Sequence, residues 1–262
     1  MMAVGPTGVG KSSLLNALLC PAVWSTEFED CHFRTDSGCG PRGIQQQVGP
    51  WLGDTEASVM VKVVDTPGLA NSGGLSDTDT LKAIIDVIKS ESVQALLLVI
   101  KAKNSTFFSQ NIQKQLRILG YIFGPQLWDH VITVFTWWGF SLHDVRERIR
   151  TCIKERKSLF RGNIRRTKDF CKQLDFENEK VEEITEGFEN YLGVTKRFPF
   201  AFSHPVFDYE DENERRIFFE NAMAIYNNAQ TMSPLHCDDQ CERRLRDWKR
   251  LRVLGPEFVR LA

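Results

Sequence analysis

Apolar positions in this chain come as short dense runs set between polar stretches, and a strand-like and a helix-like period alternate along it. Met1–Val4 is an apolar run leading straight into a loop over 5–10, and Lys11–Leu19 then has helical spacing. Cys20–Gln47 is polar, carries several glycines and sustains no period, so it is expected to form a long loop. Val48–Leu52 and Ser58–Val64 read as two strands around a turn at Gly53-Asp54, which requires them to be antiparallel. A helix is predicted over 77–90 and an apolar strand over 93–100. A further helix over 111–123 follows from the spacing of Ile112, Leu116, Leu119 and Ile122, and a buried strand over 130–136 comes after it.

Residues 141–192 read as helical and heavily charged, basic from Arg146 to Lys172 and acidic from Asp175 to Glu189. Those two halves balance, and no glycines or stacking aromatics interleave them, so solvated helix faces are expected rather than a nucleic-acid or membrane surface. A strand over 198–202, a helix over 213–229 and a charged helical tail over 238–252 complete the pattern. Leu245, Trp248 and Leu251 line one side of the tail, a stripe suited to packing on the body or on another chain. Strands alternating with helices predict an α/β fold, a mostly parallel sheet with one antiparallel hairpin and helices on both faces. The expected division is a main domain over 1–230, with the charged segment at 141–192 inserted in it, and a helical extension over 231–262.

Composition narrows this picture only a little. With 42% hydrophobic and 26% charged residues the chain can bury a full core, and a net charge of -1 gives no global attraction to nucleic acid. Seven cysteines, an odd number without a C-x-x-C pair, suit reduced thiols in the cytosol. His236, Cys237 and Cys241 lack a fourth ligand at zinc spacing. No basic and apolar leader precedes the glycine loop, and the longest apolar run, Ala95–Ile100, is far short of a bilayer span. A cytoplasmic location is therefore expected, with no nucleic-acid partner and no indication of membrane attachment.

Chemistry enters at Gly5-Pro6-Thr7-Gly8-Val9-Gly10-Lys11-Ser12, which matches G-x-x-x-x-G-K-[ST] and lies between a strand and a helix. Glycines let backbone amides wrap a phosphate chain, and the amides of the helix start, at Ser12 and Ser13, add donors and positive partial charge. Lys11 is expected on the terminal phosphates and the Ser12 hydroxyl on Mg²⁺. A plain glycine turn would not explain lysine followed by serine. Downstream, Val61–Val64 delivers Asp65-Thr66-Pro67-Gly68, with the aspartate at a strand end and glycine three residues on. Asp65 is the expected second Mg²⁺ ligand, acting through water, and the Gly68 amide the sensor of the γ-phosphate. The antiparallel hairpin before Asp65 fits a GTP-binding domain better than a nucleoside-type P-loop kinase, in which helices separate parallel strands, and a P-loop kinase or ATPase stays as the weaker alternative.

Taken together, GPTGVGKSS, the WLGD turn at 51–54, DTPGL at 65–69 and FGPQLWDHVITVFTWWGF at 123–140 resemble the avirulence-induced-gene type of G domain, whose animal members include the immunity-associated GTPases. The resemblance covers roughly residues 1–230. It implies a Ras-like P-loop G domain, binding of GTP or GDP with Mg²⁺, and homodimers or larger assemblies formed through the G domains.

Two departures bear on activity and on base choice. The residue after Gly68 is Leu69, followed by Ala70 and Asn71, so the water-orienting glutamine of Ras-like proteins is not supplied there. For the threonine that closes over Mg²⁺, Thr35 and Ser37 are available, whereas Gly40-Pro41-Arg42-Gly43, at the family's spacing, has no hydroxyl. A slow Mg²⁺-dependent GTPase acting as a switch or assembly module is the expectation, and a nucleotide-binding scaffold without useful turnover is the alternative. In the base-reading motif Thr136 keeps its place, Trp137 stands where a lysine stem would lie along the nucleotide, and Gly139 stands where an aspartate would read guanine. Trp137 either stacks on the base or packs, Trp138 packs, and Ser203 and His204 stand where G domains place a second base-contacting loop.

Overall fold

The computed structural model describes residues 1–21, 43–56, 59–69, 77–102, 110–141, 143–144, 146–147, 150, 173–204 and 207–254. Its sheet contains β1 (Met2–Val4), β2 (Gln45–Pro50), β3 (Met60–Asp65), β4 (Leu96–Lys101), β5 (Val131–Thr136) and β6 (Phe200–Phe202), in the order β2-β3-β1-β4-β5-β6. β2 runs antiparallel to β3, and the other neighbours are parallel. Alternation along the central strands sorts side chains into two cores, as the pleat requires. Leu96, Leu98 and Ile100 of β4 join Met2, Val4, Val64 and Phe135 beneath α2 (Asp77–Ser90), α3 (Gln110–Phe123) and α4 (Gln173–Leu192). Leu97 and Val99 join Ala3, Val63, Ile132 and Val134 against α1 (Lys11–Leu19) and α5 (Glu212–Thr231) on the other face.

The tail helix α6 (Asp239–Leu254) packs on the body. Cys241, Leu245 and Trp248 are buried in the same cluster as α2 and α3. Hydrogen bonds hold its approach, with the Leu235 amide donating to the Val93 carbonyl at 2.7 Å and the Arg244 guanidinium to the Ile122 carbonyl at 3.2 Å. A Lys89–Glu242 ion pair at 2.6 Å lies on the rim, where solvent screening leaves it little energy. The side chain of Leu251 lies outside the described part.

The structure departs from the sequence pattern at three places. Gln45–Gln47, read as loop, begins β2, pairing with Asp65, Val64 and Val63. Backbone bonding to β3 makes this edge strand, and its three glutamines give no apolar alternation to read. The strand also stops at Pro50, earlier than Leu52, because Trp51 sinks into the α1 side of the core and a 3₁₀ turn over Trp51–Gly53 carries the reversal. The acidic half of the charged segment is more than a solvated face: α4 buries Ile184 and Phe188, and the Phe188 ring lies 4.4 Å from Phe198 and 5.6 Å from Trp128. Most of the basic half lies outside the described residues. Among those described, no helix is long and apolar enough to cross a membrane, and no three or more His, Cys, Asp or Glu side chains group to hold a metal.

Truncating Trp248 to alanine removes a buried aromatic from the α2–α3–α6 contact and is expected to lower unfolding stability by about 3 kcal/mol. A urea titration reads this as a lower midpoint. Glu242→Ala, on the solvated rim, is expected to leave the midpoint nearly unmoved.

Candidate functional site

The ends of β1, β3, β4, β5 and β6 open on one edge of the sheet, the edge at which parallel α/β sheets hold ligands. The loop from Gly5 to Gly10 leaves β1 there. Gly5 passes so close to β4 that an added Cβ would stand 2.5 Å from the Val99 carbonyl oxygen. Gly10 caps α1 in the left-handed region at φ 96°, with no side-chain hydrogen bond to the cap, and Ser12 and Ser13 in the first turn are half-buried.

Lys11 is 7% exposed, and its ammonium donates to the carbonyls of Gly5 at 3.1 Å and Pro6 at 2.9 Å. Burial pulls its pKa down to about 8, against the opposing pull of the Asp65 carboxylate. The Ser12 hydroxyl donates to Asp65 Oδ2 at 2.5 Å, so two oxygen donors from elements 53 residues apart meet at the mouth of the loop. Hydroxyl and carboxylate are the hard donors that Mg²⁺ takes beside phosphates, and this pair fits the ion.

Behind Asp65, the Thr66 hydroxyl donates to the Ala3 carbonyl at 2.7 Å and ties β3 to β1. Gly68 rests directly on the loop: a Cβ there would overlap the Thr7 hydroxyl and stand 2.5 Å from the Thr7 amide nitrogen. Leu69 is buried, and its carbonyl accepts from the side-chain amide of Gln115 on α3. Ala70, Asn71, Thr35, Ser37 and residues 40–42 lie outside the described residues, and Gly43 is exposed.

At the far end of the loop, Thr136 is fully buried, and its hydroxyl donates to the carbonyls of Val9 and, at 3.2 Å, Ile100. It anchors the turn that carries Trp137 rather than presenting its own side chain. Trp137 is half-buried with φ 61°, rare for so bulky a residue, and its indole nitrogen lies against the backbone of Gly10. The Lys101 ammonium sits 4.8 Å from the Trp137 ring centre, and the His204 ring stands edge-on at 6.0 Å. Trp138 instead packs in the core, 4.8 Å from Phe202. Its amide donates to the Ser203 carbonyl at 3.1 Å, joining the two loops. Trp137 Nε1 and Ser203 Oγ are buried without a hydrogen-bond partner among the described residues.

Contacts link Lys11 and Ser12 to Asp65, set Gly68 against Thr7, and join Thr136 to Val9, Trp137 to Gly10 and the Trp138 amide to the Ser203 carbonyl. The sequence reading did not name Lys101, Gln115 or Asp144, whose carboxylate lies against the Gly139 backbone. Lys101 is a lone charge ending an apolar strand, and Gln115 a polar position on the apolar face of α3. Asp144 stands three residues after Ser141, a capping-box spacing that was readable.

Comparison with known proteins agrees with this architecture. A family model described as the AIG1 family matches residues 1–144. Immune-associated nucleotide-binding protein 7 of Arabidopsis thaliana is 26% identical over 190 residues, 70% of this chain and 57% of that protein. GTPase IMAP family member 8 of Rattus norvegicus is 28% identical over 138 residues, 52% of this chain and 18% of its own length. The chain thus spans less than two thirds of the curated relatives it matches. Toc33 from Arabidopsis thaliana, solved with Mg²⁺ and GMPPNP, superposes with a TM-score of 0.58 at 16% identity, covering 89% of this chain and 85% of that one. The strand order and the helices on both faces are those of a Ras-like G domain. Since the matched segment is more than half of the 262 residues, the chain belongs to the AIG1 family.

Proposed function

We propose that this chain binds GTP and GDP with Mg²⁺ and hydrolyses GTP slowly, its nucleotide state controlling conformation or assembly in the cytoplasm. The observation that carries this reading is the convergence of a buried Lys11 with the Ser12–Asp65 pair at the mouth of the glycine loop. Lys11 would neutralise phosphate charge, Ser12 and Asp65 would hold the ion, and the Gly68 amide would sense a third phosphate. The bound Mg²⁺ would supply charge neutralisation to the transferred phosphoryl group. Similarity to Toc33, solved with GDP and Mg²⁺ as well as with GMPPNP, supports the same ligands here.

Slowness follows from what stands after Gly68. Leu69 is buried with its carbonyl held by Gln115, so its side chain positions no water. That feature also favours the second reading, a scaffold in which nucleotide is retained without turnover. Dimerisation is described as important for the GTPase activity of the chloroplast translocon components atToc33 and psToc159, which supports catalysis completed by a second copy as the first reading's route.

Phosphate release measured with GTP and ATP over a range of protein concentrations separates the readings. GTP turnover per chain that rises with concentration is the expected result, and tight nucleotide retention without release would leave the scaffold standing. Lys11→Ala is expected to weaken GTP binding tenfold or more, and unchanged binding would remove the nucleotide reading altogether.

Because free Lys11 titrates near 8 and bound phosphate raises that value, binding takes up a proton above this pH. GTP affinity is expected to fall as pH rises from 8 to 9.5, by up to about tenfold per unit, as isothermal titration would read. Gly68→Ala, whose methyl group cannot coexist with Thr7, is expected to narrow the affinity gap between GTP and GDP by roughly tenfold.

A further inference from the structure

Gly139 occupies the place at which a base-reading motif carries its aspartate, and the residue there has no side chain. The space that side chain would enter is filled. A Cβ built on Gly139 would overlap the carboxylate of Asp144, all three of whose atoms lie within 2.8 Å of that point. Asp144 reaches it from the helical stretch after the turn, with His143, Asp144, Arg146 and Glu147 helical among the described residues. The Ser141 hydroxyl donates to Asp144 Oδ2 at 2.6 Å and accepts from the Asp144 amide at 3.1 Å, which fixes the carboxylate against the Gly139 backbone.

We infer that Asp144 is the specificity-determining residue for the base: its carboxylate, brought back through space, substitutes for the aspartate missing at 139. The inference rests on the nucleotide-binding reading and deepens it. A carboxylate at this position can accept from both the N1–H and the 2-amino group of guanine, a forked pair that adenine does not offer. Glycine at 139 is then a requirement rather than a loss, because any larger residue would expel the Asp144 carboxylate. Trp137, whose indole nitrogen lies against Gly10 and whose ring lies 4.8 Å from the Lys101 ammonium, would supply an aromatic face to the base, and Ser203 Oγ is a buried polar atom on the adjoining loop.

Capping the helical stretch would account for the Ser141–Asp144 bonds without any ligand, and base analogues distinguish the two roles. Hypoxanthine lacks the 2-amino group, and xanthine replaces it with a carbonyl that a carboxylate repels and an amide can donate to. Affinities of GTP, ITP and XTP, measured by titration calorimetry on the full chain and on Asp144→Asn, provide the test. The full chain is expected to favour GTP over ITP and XTP by about ten- to a hundredfold. Asp144→Asn, which keeps the size and much of the capping capacity, is expected to lose that preference and to gain XTP affinity about tenfold or more. Gly139→Asp placed in an Asp144→Ala background is expected to restore preference for GTP.

An equal change of all three affinities in Asp144→Asn, with binding still weakened tenfold or more by Lys11→Ala, would overturn the assignment while leaving the nucleotide reading intact. No binding of any of the three by the unaltered chain would overturn both.

Discussion

Keeping a lysine ammonium charged while almost fully buried is the constraint on which the nucleotide end of this molecule depends. Removing such a charge from water is costly unless dipoles and an opposite charge replace the solvent. Gly5 and Pro6 turn their carbonyls onto Lys11, and Asp65 supplies the negative charge from β3. For the loop to curl that tightly it must press on β4 at Val99, which leaves no room for a side chain at Gly5. The parallel pairing of β1 with both β3 and β4 brings these parts to one edge, so the sheet order and the buried charge are two sides of one arrangement.

The parts that were legible in the sequence are those in which local order dictates structure. Glycines, lysine and serine in fixed spacing announce the phosphate loop, and Asp65 declares itself by ending an apolar strand. α1 and α2 fall on the predicted boundaries because their apolar spacing meets clear stops. β2 was obscured because an edge strand needs backbone partners and few apolar side chains, and Gln45–Gln47 show none. Burial of α4 through Ile184 and Phe188 was masked by the acidic residues around them, which dominate composition but not packing.

At the base end, sequence and structure part company for a different reason. Reading Thr136 to Gly139 residue by residue finds a missing carboxylate, while the fold returns one from five residues downstream. Proximity in space, not motif position, decides which groups meet there. Lys101 illustrates the same point, since nothing in its own neighbourhood on β4 announces an aromatic ring across the sheet edge.

The buried amide of Gln115 has a mechanical consequence. It binds the Leu69 carbonyl from α3, and α3 also carries α6 through Arg244 at the Ile122 carbonyl. The Leu69 backbone therefore cannot shift independently of α3. Either the buried hydrogen bond breaks, at a cost of about 1–3 kcal/mol, or α3 is pulled along as a rigid rod with the tail helix attached. Gln115 acts as a tether whose strength sets how much displacement at the phosphate end is absorbed locally and how much is delivered to the opposite end of the helix.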